Sequence, residues 1–164
     1  MRVYIPMTMG GLAEAKAAGG FGDGIAAHAV TPALREWYVS DDLEELEYAA
    51  LTRAAQAALG LIAEGGPAAP PRRVVVAVDV PEQAVSADPE AGLGAVSVRG
   101  PVPWAKAASV HVDETSAAAD VTAAAGAWAA ARDGDEDARF TVDGAEGHEL
   151  LWYGLQEVDA LLAP

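Results

Sequence analysis

The chain contains no cysteine, which removes disulfides, thiolate zinc sites and cysteine nucleophiles from consideration. Basic residues are scarce: 10 Lys and Arg stand against 25 Asp and Glu, a formal charge of −15 over 164 residues. No basic stripe exists to displace counterions from a phosphate backbone, which argues against a nucleic-acid partner. The same charge opposes adsorption on an anionic membrane. The opening MRVYIPMTMGG lacks the apolar core of a secretory leader. The longest alanine-rich run, Ala123 to Ala131, is too short to span a bilayer. A cytoplasmic location is expected. Histidines number 3, with no HxH or HExxH pair among them, and no serine occupies a GxSxG elbow. GGFGDG lacks phosphate-loop spacing and precedes a strand rather than a helix. No cofactor is expected.

What the chain does have is a dense organising stretch, Thr31 to Glu64. Thr31-Pro32 reads as an N-cap followed by a first helical residue that has no N–H to leave unpaired. Asp41 restarts a helix, with Glu44 completing an acidic capping box. Leu43, Leu46, Ala50, Ala54, Ala57 and Leu61 then form one apolar stripe, widened by Leu51, Ala55, Ala58 and Ile62. Upstream, Arg2 to Met7 alternates as a strand, Thr8 caps a short helix ended by Gly19-Gly20, and Ile25 to Val30 is a second strand. Downstream, residues 63–73 form a Gly/Pro-rich internal loop. Val74 to Val80 is the strongest strand signal, apolar on both faces as a covered central strand requires. Strands at Ala95–Arg99 and Ser109–Asp113 follow, then a helix from about Ala117 to Arg132. Asp143 with Glu146 reads as a second capping box opening a last helix to Leu162. The expectation is one α/β (α+β) domain over residues 1–164, a mixed sheet of about five strands packed by helices, with a ferredoxin-like first half as its neatest version.

Candidate chemistry is sparse. Asp79 ends an otherwise apolar strand, a place where α/β enzymes put functional acids. His111 shares a strand face with Ser109 and Asp113, so Asp79, Asp113 and His111 are the candidate catalytic groups, and His111 with Asp113 the least improbable metal ligands. Capping explains the carboxylates of Asp41, Glu44, Asp143 and Glu146. The aromatic pairs Trp37-Tyr38 and Trp152-Tyr153, with Tyr48, carry the composition of binding surfaces. On a helix, neighbouring side chains diverge by about 100°, so one ring of each pair can enter the core while the other reaches a groove or partner; packing at the core edge with the polar tips in water is the alternative.

The pieces MRVYIP, AHAVTPALREWY, DLEELEYAAL, RRVVVAVDV, GPVPWAKAASVHVD and GHELLWYGLQE together resemble an uncharacterised family of short acidic actinobacterial proteins, a domain of unknown function. The resemblance implies a bacterial cytoplasmic single domain and transfers no activity or site residue. The reading that leads is a non-enzymatic binding or regulatory protein acting through an aromatic and acidic helical surface, with a protein partner or a second copy as a homodimer. Two alternatives are a small metal-assisted hydrolase or transferase using Asp79, Asp113 and His111, and a small-molecule sensor with an aromatic pocket and Arg35 as anion anchor.

Overall fold

In the computed structural model, which describes all 164 residues, the valine-rich run predicted as a central strand lies near the middle of the sheet. This strand, β4 (Val74–Asp79), pairs on one side with β1 (Arg2–Met7) and on the other with β8 (Ala107–Val112), antiparallel in both cases. Beyond β1 come β3 (Ile25–Ala29), β6 (Ala95–Val98) and β5 (Val85–Ala87); beyond β8 comes β9 (Leu151–Tyr153). The result is a 7-stranded sheet in the order β5-β6-β3-β1-β4-β8-β9. A separate pair joins β2 (Gly20–Phe21) to β7 (Val102–Pro103). Glycine is required at the first position: with φ at 155°, a Cβ on Gly20 would lie 2.2 Å from the Val102 carbonyl oxygen.

The α+β class matches the expectation, and two details differ. The sheet has 7 strands rather than about five, because the short edge strands β5 and β9 carry little alternation to read. Its pairings are antiparallel throughout, and β1 is hydrogen-bonded directly to β3. A ferredoxin-like half would separate these two strands by another. Hydrophobic alternation tells which face of a strand is buried, not which strand lies beside it.

Alternation along β1 and β4 divides the protein into two cores. Val3 and Ile5 with Val74, Val76 and Val78 face one side, where Leu12 of α1 (Met9–Ala18) and Val158 of α6 (Val158–Leu162) cover them. Tyr4, Val75 and Ala77 face the other, beneath α3 (Leu43–Gly65), which contributes Ala49, Ala50, Ala54 and Ala55. Small side chains let this helix lie close to the strands. The caps are local: Thr31 Oγ1 accepts from the Leu34 N–H (3.2 Å) to start α2 (Pro32–Tyr38). Asp42, not Asp41, caps α3, taking the N–H groups of Glu44 and Glu45. That helix runs on through Gly65, so residues 63–65 of the expected loop are helical.

The C-terminal half of α3 overshoots the sheet. There Leu59 and Ile62 meet Val121 and Ala124 of α4 (Ala118–Arg132) and Val142 of α5 (Glu136–Gly144) in a third, separate cluster. Gly60 permits this approach, because a Cβ there would come within 2.9 Å of Trp128 Nε1.

The largest correction concerns the C-terminus. Instead of one helix from Asp143, α5 starts earlier under an Asp135 cap (Oδ1 to the Ala138 N–H, 2.9 Å), and Leu151–Tyr153 add to the sheet edge. Asp143 lies near the end of α5 and opens nothing. Gly144, Gly147 and Gly154 break the apparent helical period, and pairing with β8 rewards the aromatic run as a strand.

Candidate functional site

The site is built where β4, β8 and β9 meet at the edge of α3. Its foundation is a buried ion pair. Arg73 and Asp113 are both sealed from solvent, and the guanidinium grips the carboxylate in a fork (Nε to Oδ2 and NH2 to Oδ1, each 2.8 Å). The Arg73 backbone N–H donates to the same Oδ2 (2.8 Å), and its side chain also donates to the His148 carbonyl (2.9 Å). Arg72 holds the Asp113 carbonyl from outside (3.1 and 3.0 Å). The pair thus fastens the start of β4 to the end of β8 and to the segment entering β9. Both Asp113 carboxylate oxygens are committed to this fork, so the group is structural.

Above this knot opens a cleft of about 570 Å³, lined by Tyr48, Leu151, His148 and three glutamates, Glu114, Glu146 and Glu149. Each glutamate has a neutral hydrogen-bond partner. Glu149 accepts from the Tyr48 hydroxyl (3.2 Å), Glu146 from Gln56 Nε2 (2.7 Å) and Glu114 from Ser116 Oγ (3.5 Å). No Lys or Arg forms an ion pair with any of the three. Burial and the neighbouring Glu149 carboxylate hold the Tyr48 phenol above its usual range, so it stays a donor. His148, on the wall of the cleft, is hydrogen-bonded through Nε2 to the Asp120 carboxylate (2.7 Å). The Tyr48 ring remains 56% exposed, and Trp152 on the adjoining strand 62%. Since β9 pairs only with β8, its other edge offers unpaired backbone groups.

Along the α3 face of the sheet runs a row of polar groups. Arg2 clamps Asp79 (Nε to Oδ1 3.0 Å, NH2 to Oδ2 2.9 Å) and thereby keeps its carboxyl below the usual range. The Tyr4 hydroxyl donates to Glu47 (3.4 Å), and burial, reinforced by Glu47, pushes its pKa up. Ser109 Oγ and His111 Nε2 are 2.9 Å apart, and burial, then the Arg2 charge, lowers the His111 pKa. Ser109 is buried, so this pair does not present a nucleophile to solvent. Register places Trp152 beside His111.

The candidate catalytic groups do not converge. Asp79 and Asp113 sit at opposite ends of β4, Asp113 beside Arg73 and Asp79 six residues further on. At about 3.3 Å per residue that is roughly 20 Å. No group of three or more His, Asp and Glu side chains comes close enough to share a metal ion. His111 and Asp113 belong to different environments, one hydrogen-bonded to Ser109, the other locked to Arg73.

The aromatic residues divide likewise. Trp37 (69% exposed) and Tyr38 lie on α2, and neither enters the core, because Leu34 is the buried anchor of that helix. The Arg53 guanidinium stacks 5.9 Å from the Tyr38 ring centroid. Arg35 is exposed, without a charged partner, and lines none of the principal clefts. Trp152 and Tyr153 are on a strand, so they take opposite faces: Trp152 outward, Tyr153 half-buried against the first core.

A family model described as "Family of unknown function (DUF6912)" matches residues 1–162. The chain belongs to this family. No curated protein and no solved structure matches it. Its sequence did not single out Glu114, Glu146 and Glu149 as a site, because they come from two loops about 30 residues apart. The available signal was the cluster of charge around His148 in EGHELL, which only the β9 pairing brings onto Tyr48.

Proposed function

We propose that this protein binds a basic, extended protein segment along the β9 edge, without catalysing a reaction. The observation that carries the reading is the acidic cleft beside Tyr48 and Leu151: three carboxylates without a cationic partner, next to the exposed Tyr48 ring on α3 and the exposed Trp152 ring on an unpaired strand edge. Strand addition supplies affinity through backbone hydrogen bonds, and alternate side chains supply specificity. A Lys or Arg of the partner meets the glutamates and the Tyr48 ring, and an apolar neighbour rests on Trp152. Aromatic residues at such positions are the usual energetic anchors of an interface. A second copy of the chain fits less well, because two-fold pairing of β9 edges would bring both sets of glutamates together. No helix is long and apolar enough to cross a membrane, and the charge supports an aqueous setting such as the cytoplasm.

The test is titration with synthetic peptides of alternating Lys and Val, read by isothermal calorimetry at low and high salt. Binding is expected to weaken at least tenfold in Trp152→Ala and in the Glu114→Gln, Glu146→Gln, Glu149→Gln triple variant. It is also expected to fall with ionic strength, as exposed charge pairing does. Equal affinity of wild type and triple variant, or no saturable binding at low salt, would sink the reading.

A further inference from the structure

At the other end of β4 the electrostatics reverse. A groove of about 470 Å³ opens beside Asp79, with Arg99 and Lys106 on its rim and Pro81, Pro101 and Pro103 in its walls. Arg99 follows β6, and its backbone N–H is fixed to the Ala84 carbonyl (2.8 Å). Lys106 ends a short turn held in place by Trp104, whose ring stacks on Phe21 at 5.9 Å between centroids. Neither cation forms an ion pair with any carboxylate, and Arg99 makes only a long contact to the Gln83 carbonyl (3.4 Å). The single carboxylate lining the groove, Asp79, is already bridged by Arg2. Asp23 stands behind the wall, accepting the Gly100 N–H at 2.8 Å.

In a chain with 25 acids to 10 bases, two cations without an ion-pair partner line this one groove. The field of the whole protein repels anions, so a local excess of positive charge defines where one can dwell. The volume falls within the range of small-ligand sites, about 300–1,000 Å³. Each Asp79 oxygen takes one hydrogen bond from Arg2 and retains a lone pair for another donor. Val80, Val102 and the prolines offer an apolar surface for a short carbon skeleton.

We infer that this groove binds a small oxyanion that also carries a hydroxyl group: the anionic head on Arg99 and Lys106, the hydroxyl donating to Asp79. Carboxylate and phosphate heads share this chemistry, and the test separates them.

The full-length protein is titrated with four probes, namely acetate, lactate, inorganic phosphate and glycerol 3-phosphate, at ionic strength held constant with chloride. The readouts are calorimetry and backbone amide NMR shifts. A saturable response confined to residues 79–84 and 99–106 is expected for one head group, with the hydroxylated member of that pair binding at least threefold tighter than its parent. Arg99→Gln and Lys106→Gln should each weaken it tenfold or more, and Lys106→Arg should restore most of it. Asp79→Asn should erase the advantage of the hydroxyl while leaving acetate or phosphate binding in place. Arg99 and Lys106 are exposed, so their loss leaves the fold intact. Absence of a saturable response from all four probes overturns the inference, as does a response that survives the Arg99→Gln, Lys106→Gln double variant.

Discussion

His28 provides the sharpest quantitative handle on this fold. It lies in β3 opposite Tyr4, on the α3 face, with Nδ1 buried and without a hydrogen-bond partner. Burial, then the charge of Arg53, lowers its pKa from 6.5 to about 4. The folded state therefore refuses a proton that the unfolded chain takes up below pH 6.5. The stability tied to the neutral ring is present above pH 6.5 and is lost as pH falls toward 4. Evaluating the two proton-binding curves between pH 7.5 and pH 5 gives a loss of about 2 kcal/mol, and about 3 kcal/mol once pH drops below 4. With a urea slope of about 2 kcal/mol per molar, the midpoint should move down by about 1 M between pH 7.5 and pH 5. Wild type alone is not decisive, because reducing the charge of −15 relieves self-repulsion and acts in the opposite direction. The comparison with His28→Gln is. That variant feels the same relief but has no ring to protonate, so its midpoint should fall about 1 M less over the same interval. His111, whose pKa burial also lowers, acts with the same sign in both proteins and cancels. Parallel pH profiles for wild type and His28→Gln would refute the reasoning.

Other outcomes follow from particular contacts. Asp113→Ala leaves the buried Arg73 charge uncompensated and should cost about 3–5 kcal/mol, seen as a melting temperature lower by roughly 10 °C. Replacing Arg73 and Asp113 together by leucine should cost less than that single change. Gly20→Ala forces a Cβ onto the Val102 carbonyl oxygen and should lose about 1–3 kcal/mol in urea unfolding, with local amide-shift changes centred on β2 and β7. Trp152→Ala, by contrast, removes an exposed ring and should shift stability by less than about 0.5 kcal/mol, which makes it a clean variant for binding measurements. Analytical ultracentrifugation at physiological salt should show a monomer, since like charges oppose pairing of two β9 edges.

The sequence was most legible where a signal is local. Thr31 and Thr8 cap the helices they were expected to cap, because a hydroxyl needs only the next few N–H groups. Val74 to Val80 declared itself as a buried strand, since consecutive apolar β-branched residues fit little else, and the strand runs from Val74 to Asp79. Leu151 to Tyr153 did not. Its spacing with Leu155 and Val158 imitates a helical stripe, and only the free edge of β8 decides in favour of a strand. The same non-local event determined the site. Trp152 was expected on a helix and Asp113 beside His111 in chemistry; sheet pairing put the first on an open edge and gave the second to Arg73. Asp79 stayed ambiguous in sequence because its partner, Arg2, is 77 positions away. Charge density marks where partners will be needed, but not which of them will meet.

The overshoot of α3 has a thermodynamic consequence. Its first half belongs to the sheet, whereas its second half is one wall of a cluster made otherwise from α4 and α5. The helix is the main shared member of two cooperative units, so the α4–α5 hairpin can open while the sheet stays closed. Native-state hydrogen exchange should then resolve two tiers of protection: slow amides in β1, β4 and the first half of α3, and a faster, concerted set in α4, α5 and the last turns of α3. Glu114 and Glu146 bracket that hairpin, so a segment seated in the acidic cleft would slow exchange throughout the second tier, reporting its arrival at amides it never touches.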